Sequence, residues 1–323
     1  MKPKSFILPS FALALALSSC NAIYEDLAPC PQGVEISLAF TNNMEGVDRV
    51  ASDVHCSNIF IYDGNGDLYG HYDLDNSNRI DLELPAGNYR AIAFGGMRCD
   101  DASFDFSHHP EDFHNYADLL AYIRGTRAPE SNARLHDQFH VASDFSVDAD
   151  DMTHRSMTLD YIRNTNNIRV GLDYEDGTSI NPADFNFSIT ADNYVTDHAN
   201  NVIPQGADCV YTPCAQGTTP AAGDARQYAW AEISTGRLTS DSNARLKITS
   251  ASDGKTLFDV NLVEYIAKIH PAELPGTNLQ EYLDRQNNWT VKFSLEPSGD
   301  KIAGLVITIN GWIINLSNTN VDL

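Results

Sequence analysis

Val34-Glu35-Ile36-Ser37-Leu38-Ala39-Phe40 alternates apolar with polar or small residues. Successive side chains of a β-strand point to opposite faces, so this run buries Val34, Ile36, Leu38 and Phe40 on one side of a sheet and turns Glu35 and Ser37 to the other. The same period of two returns downstream. Ile59-Phe60-Ile61-Tyr62 runs into Asp63-Gly64-Asn65-Gly66 and residues 68–72 lead back, which makes a hairpin. Ile80, Leu82 and Leu84 alternate with charged residues up to Pro85-Ala86-Gly87, and residues 88–94 form the next strand. Alternation resumes in 157–162 and is clear at Ile168, Val170, Leu172 and Tyr174, then at Phe185, Phe187 and Ile189. Further strands fall at 228–233, 245–249, 257–262 and 289–295.

Residues 100–155 break this pattern. Phe113, Tyr116, Leu120 and Ile123 stand at helical spacing and predict a short helix over 112–124, and a second is expected at 279–285. The chain of 323 residues is long enough for two domains, with the boundary expected near residue 155, dividing 20–155 from 156–323. Two multistranded, mostly antiparallel units joined by short turns argue for an all-β chain of tandem β-sandwiches with one or two short helices. The repeated strand-helix units of a parallel sheet are missing from the sequence.

The last strands have their own logic. Ile307-Thr308-Ile309-Asn310-Gly311-Trp312-Ile313-Ile314 places Asn-Gly between two β-rich runs, and a type I′ turn needs positive φ at both of those positions. Such a turn sets Ile309 opposite Trp312, Ile307 opposite Ile314 and Leu305 opposite Leu316, all six on one face. A bulge at Gly311 within one long strand would shift the alternation at the same point.

At the other end, Lys2 and Lys4 precede an apolar run over 11–17, and Leu17-Ser18-Ser19-Cys20 follows. That order reads as a bacterial lipoprotein signal, residues 1–19, with small residues before the cut and a cysteine thiol to take a diacylglycerol. The apolar run is too short to cross ~30 Å of hydrocarbon as a helix. The membrane then holds the mature chain by acyl groups on Cys20, and Asn21 after the cysteine favours an outer membrane.

The formal charge of −23 becomes about −25 once 1–19 are removed, which argues against nucleic acid as a partner. Five cysteines remain after Cys20, and an exported chain can oxidise them. Cys30 and Cys56 each flank a predicted strand, so a bridge between neighbouring strands is one pairing, with Cys99 left free. Cys99 bonded to Cys30 or Cys56 is another. Cys209 and Cys214 are close enough to staple the loop between them. Their spacing is not that of a zinc knuckle or a thioredoxin motif.

Nucleophile elbows, phosphate loops, dinucleotide fingerprints and the helical zinc motif of metalloproteases are missing from the sequence. His108, His109 and His114 cluster, and His136 with His140 has the spacing of a helical metal pair, but the segment reads as loop and lacks carboxylates placed to orient the rings. Asp63-Gly64-Asn65-Gly66-Asp67 has no closing glutamate and reads as a turn rather than a calcium loop. Carboxylate pairs such as Asp100 and Asp101 carry little information in so acidic a chain. Tyr116, Tyr161, Tyr194 and Tyr211 are candidates for glycan contact, with core or rim positions the default. No metal, cofactor or catalytic residue is expected.

Together, the lipoprotein signal, Asp26-Leu27-Ala28-Pro29-Cys30-Pro31-Gln32-Gly33-Val34, Ile59-Phe60-Ile61-Tyr62-Asp63, Leu84-Pro85-Ala86-Gly87-Asn88-Tyr89, Ile309-Asn310-Gly311-Trp312 and Val321-Asp322-Leu323 resemble the FimB/Mfa2 family of fimbrial anchor lipoproteins of Bacteroidales. The resemblance spans nearly the whole chain from Cys20 to Leu323. It implies two tandem transthyretin-like β-sandwich domains anchored in the outer membrane at the base of a fimbrial shaft, with shaft subunits as partners and no enzymatic activity. In such pili a shaft subunit loses its first strand to proteolysis and a strand of the next subunit fills the groove. On that resemblance Cys20 is the anchor, Cys30 and Cys56 match paired positions, and Leu305, Ile307, Ile309, Trp312, Ile314 and Leu316 lie in the strands that engage the shaft. A first strand that stays in place leaves no groove and ends polymerisation, which limits shaft length. The competing expectations are a tip adhesin or glycan-binding surface lipoprotein of the same architecture, and a lipid-anchored hydrolase.

Overall fold

The opening alternation becomes strand β1 (Gln32–Ala39), whose Val34, Ile36 and Leu38 are buried while Glu35 and Ser37 are half-exposed. The computed structural model describes residues 32–75, 78–99, 102–124, 130–148, 155–220, 227–296, 306–309 and 312–315. After β1 come a single helical turn, α1 (Val50–Asp53), and strands β2 (Cys56–Asp63), β3 (Leu68–Asp75), β4 (Arg79–Leu84) and β5 (Gly87–Gly95). Three short strands follow, β6 (Phe104–Phe106), β7 (Leu120–Ile123) and β8 (Glu130–Ser131). Then come β9 (Phe139–Val147), β10 (Arg155–Asp160) and β11 (Ile162–Arg163).

The second half runs through β12 (Asn166–Tyr174), β13 (Phe185–Ala191), β14 (Val195–Asp197), β15 (Cys209–Tyr211) and β16 (Ala215–Pro220). It continues with β17 (Gln227–Thr235), β18 (Arg245–Ser250) and β19 (Thr256–Asn261), then the helices α2 (Leu262–Glu273) and α3 (Leu279–Arg285). β20 (Asn288–Leu295), β21 (Val306–Ile309) and β22 (Trp312–Asn315) complete it.

Two sandwiches result. In the first, the sheet β10-β1-β4 faces the sheet β11-β9-β5-β2-β3. Val34, Ile36 and Leu38 of β1 and Leu159 of β10 meet Ile59, Ile61, Ala93 and Phe139 across the gap. Each such aliphatic side chain contributes roughly 1.5–3 kcal/mol by leaving water. In the second, β16-β17-β12-β20-β21-β22 faces β19-β18-β13-β15-β8. Nearly all pairings are antiparallel; β1 with β10, β12 with β20 and β15 with β8 are the parallel ones among the described residues.

The five-stranded sheet of the first sandwich is apolar on both faces, which alternation alone does not predict. Ile59 and Ile61 point into the sandwich, whereas Phe60 points outward into a ring cluster, with ring centroids 5.3 Å from Phe106 and 6.1 Å from Phe113. A small sheet, β14-β7-β6, builds this outer layer. The helix expected over 112–124 is therefore absent. Pro110–Asp112 and Tyr116–Asp118 are single 3₁₀ turns, and Leu120–Ile123 is β7. Leu119, Ala121 and Ile123 are buried while Leu120 is half-exposed, so the period of two won over the helical one once strands flanked β7 on both sides.

The boundary expected near residue 155 falls ahead of two strands that belong to the first sandwich. β10 returns to β1 and β11 to β9, so the change of sandwich comes after Arg163. The halves also exchange strands, β8 joining the second sandwich and β14 the outer layer of the first.

Candidate functional site

The C-terminal edge is built by register. β21 adds to β20 with Ile309 opposite Val291 and Thr308 opposite Lys292. β22 adds to β21 with Ile309 opposite Trp312 and Ile307 opposite Ile314. The segment is thus a pair of antiparallel strands rather than one bulged strand, with the register that Asn310-Gly311 predicts. Leu305 and Leu316 lie outside the described residues. β22 is the last strand of its sheet, paired on one side only among the described residues, and α2 runs beside it. A strand edge of this kind presents N–H and C=O groups that another chain can pair with.

The opposite end of the chain is closed. β1 has neighbours on both sides, β10 parallel and β4 antiparallel, and Val34 and Ile36 are wholly buried. Cys20 and Cys30 lie outside the described residues, so the lipidation site carries no geometry.

The cysteine pairing differs from the first expectation. Cys56 is bonded to Cys99, with Cα atoms 6.1 Å apart, and so is not Cys30's partner. Ser57 pairs with Gly95, and the Gly96 N–H donates to the Cys56 carbonyl at 3.0 Å, which turns the chain back past Cys56. Gly96 has φ +72°, and a Cβ there would meet the Asp137 carbonyl oxygen at 1.9 Å, so only glycine makes this turn. Cys209 and Cys214, expected to staple their loop, are both free. Cys209 sits in β15, but Cys214 leads into β16 in the facing sheet, its N–H on the Glu232 carbonyl at 2.9 Å. The loop between them therefore crosses the sandwich.

His136, His140 and the four candidate tyrosines are engaged within the fold. His140 is on a strand, not a helix, and its Nε2 contacts the His198 carbonyl at 3.0 Å. Burial lowers its pKa to about 3, so the ring is neutral. His136 Nδ1 contacts Ser103 Oγ at 3.0 Å. Among the described residues no three His, Cys, Asp or Glu side chains come together as a metal site. Asp63 Oδ1 accepts the N–H groups of Asn65 and Asp67 at 2.8 and 3.0 Å, which makes 63–67 a turn closed on itself and holds that carboxyl below its ordinary pKa. Tyr161 and Tyr211 are buried, donating to Ser57 Oγ at 3.0 Å and Asn193 Oδ1 at 2.7 Å. Tyr116 is half-buried beneath the Arg90 guanidinium, 4.8 Å from its ring centre, and Tyr194 is half-buried. Asp100 and Asp101 lie outside the described residues.

What sequence reading missed is the polar junction between the sandwiches. Asn164 Nδ2 donates to Gln138 Oε1 and to Asn200 Oδ1, both at 2.7 Å, and Asn200 Nδ2 returns a bond to Asn164 Oδ1 at 3.0 Å. Arg237 donates to the Asn200 carbonyl at 3.0 Å and to Asp284 Oδ1 at 2.8 Å. Burial pushes the Asp284 carboxyl up and the Arg237 guanidinium down, and their pairing offsets part of each shift. Buried amides that satisfy one another cost little to bury and fix one arrangement, so the two sandwiches meet in a defined orientation. The residues come from five separate segments, a grouping visible only after folding.

The fold as a whole is similar to that of known proteins. The family described as fimbrillin-A associated anchor proteins Mfa1 and Mfa2 matches residues 27–318. A candidate adhesin from Bacteroides thetaiotaomicron is 30% identical with a TM-score of 0.79, over 90% of this chain and 99% of that one. A candidate polysaccharide-binding protein from the same organism is 25% identical with a TM-score of 0.77, over 88% and 98%. The fimbrial anchor protein Mfa2 from Porphyromonas gingivalis, 17% identical with a TM-score of 0.66 over 88% and 99%, shares the fold. Among curated proteins none matches significantly.

Proposed function

Because the chain belongs to the family of fimbrillin-A associated anchor proteins, we propose that it holds a fimbrial shaft at its base in the outer membrane through a lipid on Cys20, and that it limits shaft length by ending strand-exchange polymerisation. Its role is structural and fimbria-associated. No helix among the described residues is long and apolar enough to cross a membrane.

The observation that carries the reading is the position of β1. Polymerisation by strand exchange needs a subunit that has lost its first strand, because only then do backbone groups and an apolar groove lie open. Here the first strand is the middle of its sheet and buries Val34, Ile36 and Leu38. It also follows Cys20 closely in sequence, so cutting it away would release the rest of the chain from its lipid. The molecule then offers a shaft subunit its C-terminal edge, β21 and β22, and offers no groove to a further subunit.

A second reading, a tip adhesin or glycan-binding surface lipoprotein, is favoured by what the two Bacteroides thetaiotaomicron relatives are described as. Fimbrial length separates the two. In cells that lack this protein, electron microscopy is expected to find fimbriae longer than normal and detached. Attached fimbriae of unchanged length would support the adhesin reading instead.

A further inference from the structure

We propose that each sandwich is a shear clamp, built so that tension along the chain loads a whole parallel strand pair at once. The inference rests on the anchor reading only for where the load is applied: at the lipid on Cys20 and at the C-terminal edge.

In the first sandwich the pull arrives ahead of β1 and leaves through β10, its last long strand, once the two-residue β11 has come off β9. These two strands lie side by side and parallel, from Val34 opposite Arg155 to Ala39 opposite Asp160. The load therefore enters at one end of the pair and exits at the other, acting along the strand axes in opposite directions. Separation requires the six paired positions to slip together, with Val34, Ile36 and Leu38 dragged out of the core. Antiparallel first and last strands would put both loaded ends on one side, and the hydrogen bonds would then open one at a time.

The second sandwich repeats the arrangement with different strands. Its first strand, β12, is parallel to β20 over eight positions, from Asn167 opposite Asn288 to Tyr174 opposite Leu295. The load again enters at one end of this pair and leaves at the other. Of the three parallel strand pairs among the described residues, these two join the first strand of a sandwich to its last long strand, and the third joins the halves to each other.

Side chains bolt both pairs. The Thr41 N–H donates to Asp160 Oδ1 at 2.7 Å, Thr41 Oγ1 donates to Asp160 Oδ2, and Asn42 Nδ2 donates to the Tyr161 carbonyl at 3.1 Å, tying the chain after β1 to the end of β10. Between β12 and β20, buried Asp173 accepts from Ser294 Oγ at 2.6 Å and pairs with Lys292 Nζ at 2.8 Å, and Trp289 Nε1 donates to Asn166 Oδ1 at 3.0 Å. Between the clamps, exchanged strands β8 and β14 and the Asn164–Asn200 junction keep the sandwiches from being pulled apart.

Load that reaches the chain through its C-terminus meets the β21–β22 hairpin at its open end, where Val306 lies opposite Asn315. That hairpin peels first, and the clamps carry the load afterwards.

The test is single-molecule pulling of the mature chain, with a tether in place of the lipid at residue 20 and a second at the C-terminus. The control pulls the same chain between residue 20 and the exposed turn after β4, using Ala86→p-azidophenylalanine; Gln32 lies opposite Leu84, so this direction unzips β1 from β4. Forced unfolding reads the barrier along the direction of pull. End-to-end pulling is expected to give a small opening followed by two ruptures at several-fold the control force. Ruptures at or below the control force would overturn the clamp. The same preparation is scored for retention of shaft subunits, so a weak chain that still holds them overturns the clamp and leaves the anchor reading intact.

Discussion

Cells whose copy of the protein lacks residues 301–323 are expected to shed long fimbriae into the medium, with none of the truncated chain on the shed fimbriae. The deletion takes away β21 and β22, the last two strands at one edge of the six-stranded sheet. β22 is held to β21 across four paired positions. At ~0.5–1.5 kcal/mol net per hydrogen bond, that pairing is weak beside the eight positions of β12 and β20. On the proposed reading this lightly held edge is the one a shaft subunit would extend or displace. Because losing β21 also uncovers β20, a shorter deletion of 312–323 serves as the folding control: β21 stays in place, circular dichroism should remain native, and fimbriae should still be shed. Attached fimbriae of normal length in both strains would move the contact to another edge, such as β3 or β16.

The second large effect comes from Cys20→Ala. On the proposed lipid anchor, a diacylglycerol would contribute ~0.8 kcal/mol per buried CH₂, so its loss is expected to empty the membrane fraction. The expected phenotype differs from the truncation in an informative way. The fimbriae again appear in the medium, but at normal length and with the protein still attached, because the substitution leaves both β1 and the C-terminal edge untouched. Immunoblots of medium and membrane fractions, with length distributions by electron microscopy, read both quantities. A Cys20→Ala protein that stays with the membrane after alkaline washing would show that something other than the lipid holds it.

Much of this molecule is legible in its sequence, and the exceptions have physical causes. β1 reads directly because one face is buried and the other half-exposed, and β2 and β3 read from the Asp63-Gly64-Asn65-Gly66 turn between them. The register of β21 on β22 follows from Asn310-Gly311 alone. The helix over 112–124 failed because Phe113, Tyr116, Leu120 and Ile123 offer the helical period while Leu119, Ala121 and Ile123 offer a period of two, and only neighbouring strands decide between them. α2 went unread although its signals were present: Asn261 caps it, accepting the N–H groups of Val263 and Glu264 at 2.9 and 3.1 Å, and Leu262, Val263, Tyr265, Ile266 and Ile269 form its buried face. The start of that run merges with β19, which hid the change of period. The Cys56–Cys99 bond depends on the turn at Gly96, and the junction of Asn164, Asn200, Gln138 and Arg237 depends on contacts between distant segments. Neither leaves a local trace.

The central claim is that this chain is joined to a fimbrial shaft. The most direct measurement is affinity purification of the intact protein from native cell envelopes, with mass spectrometry of what remains bound after detergent washing. The account predicts a β-rich shaft subunit, recovered in a ladder that resists mild denaturation. Recovery of the protein alone would contradict it.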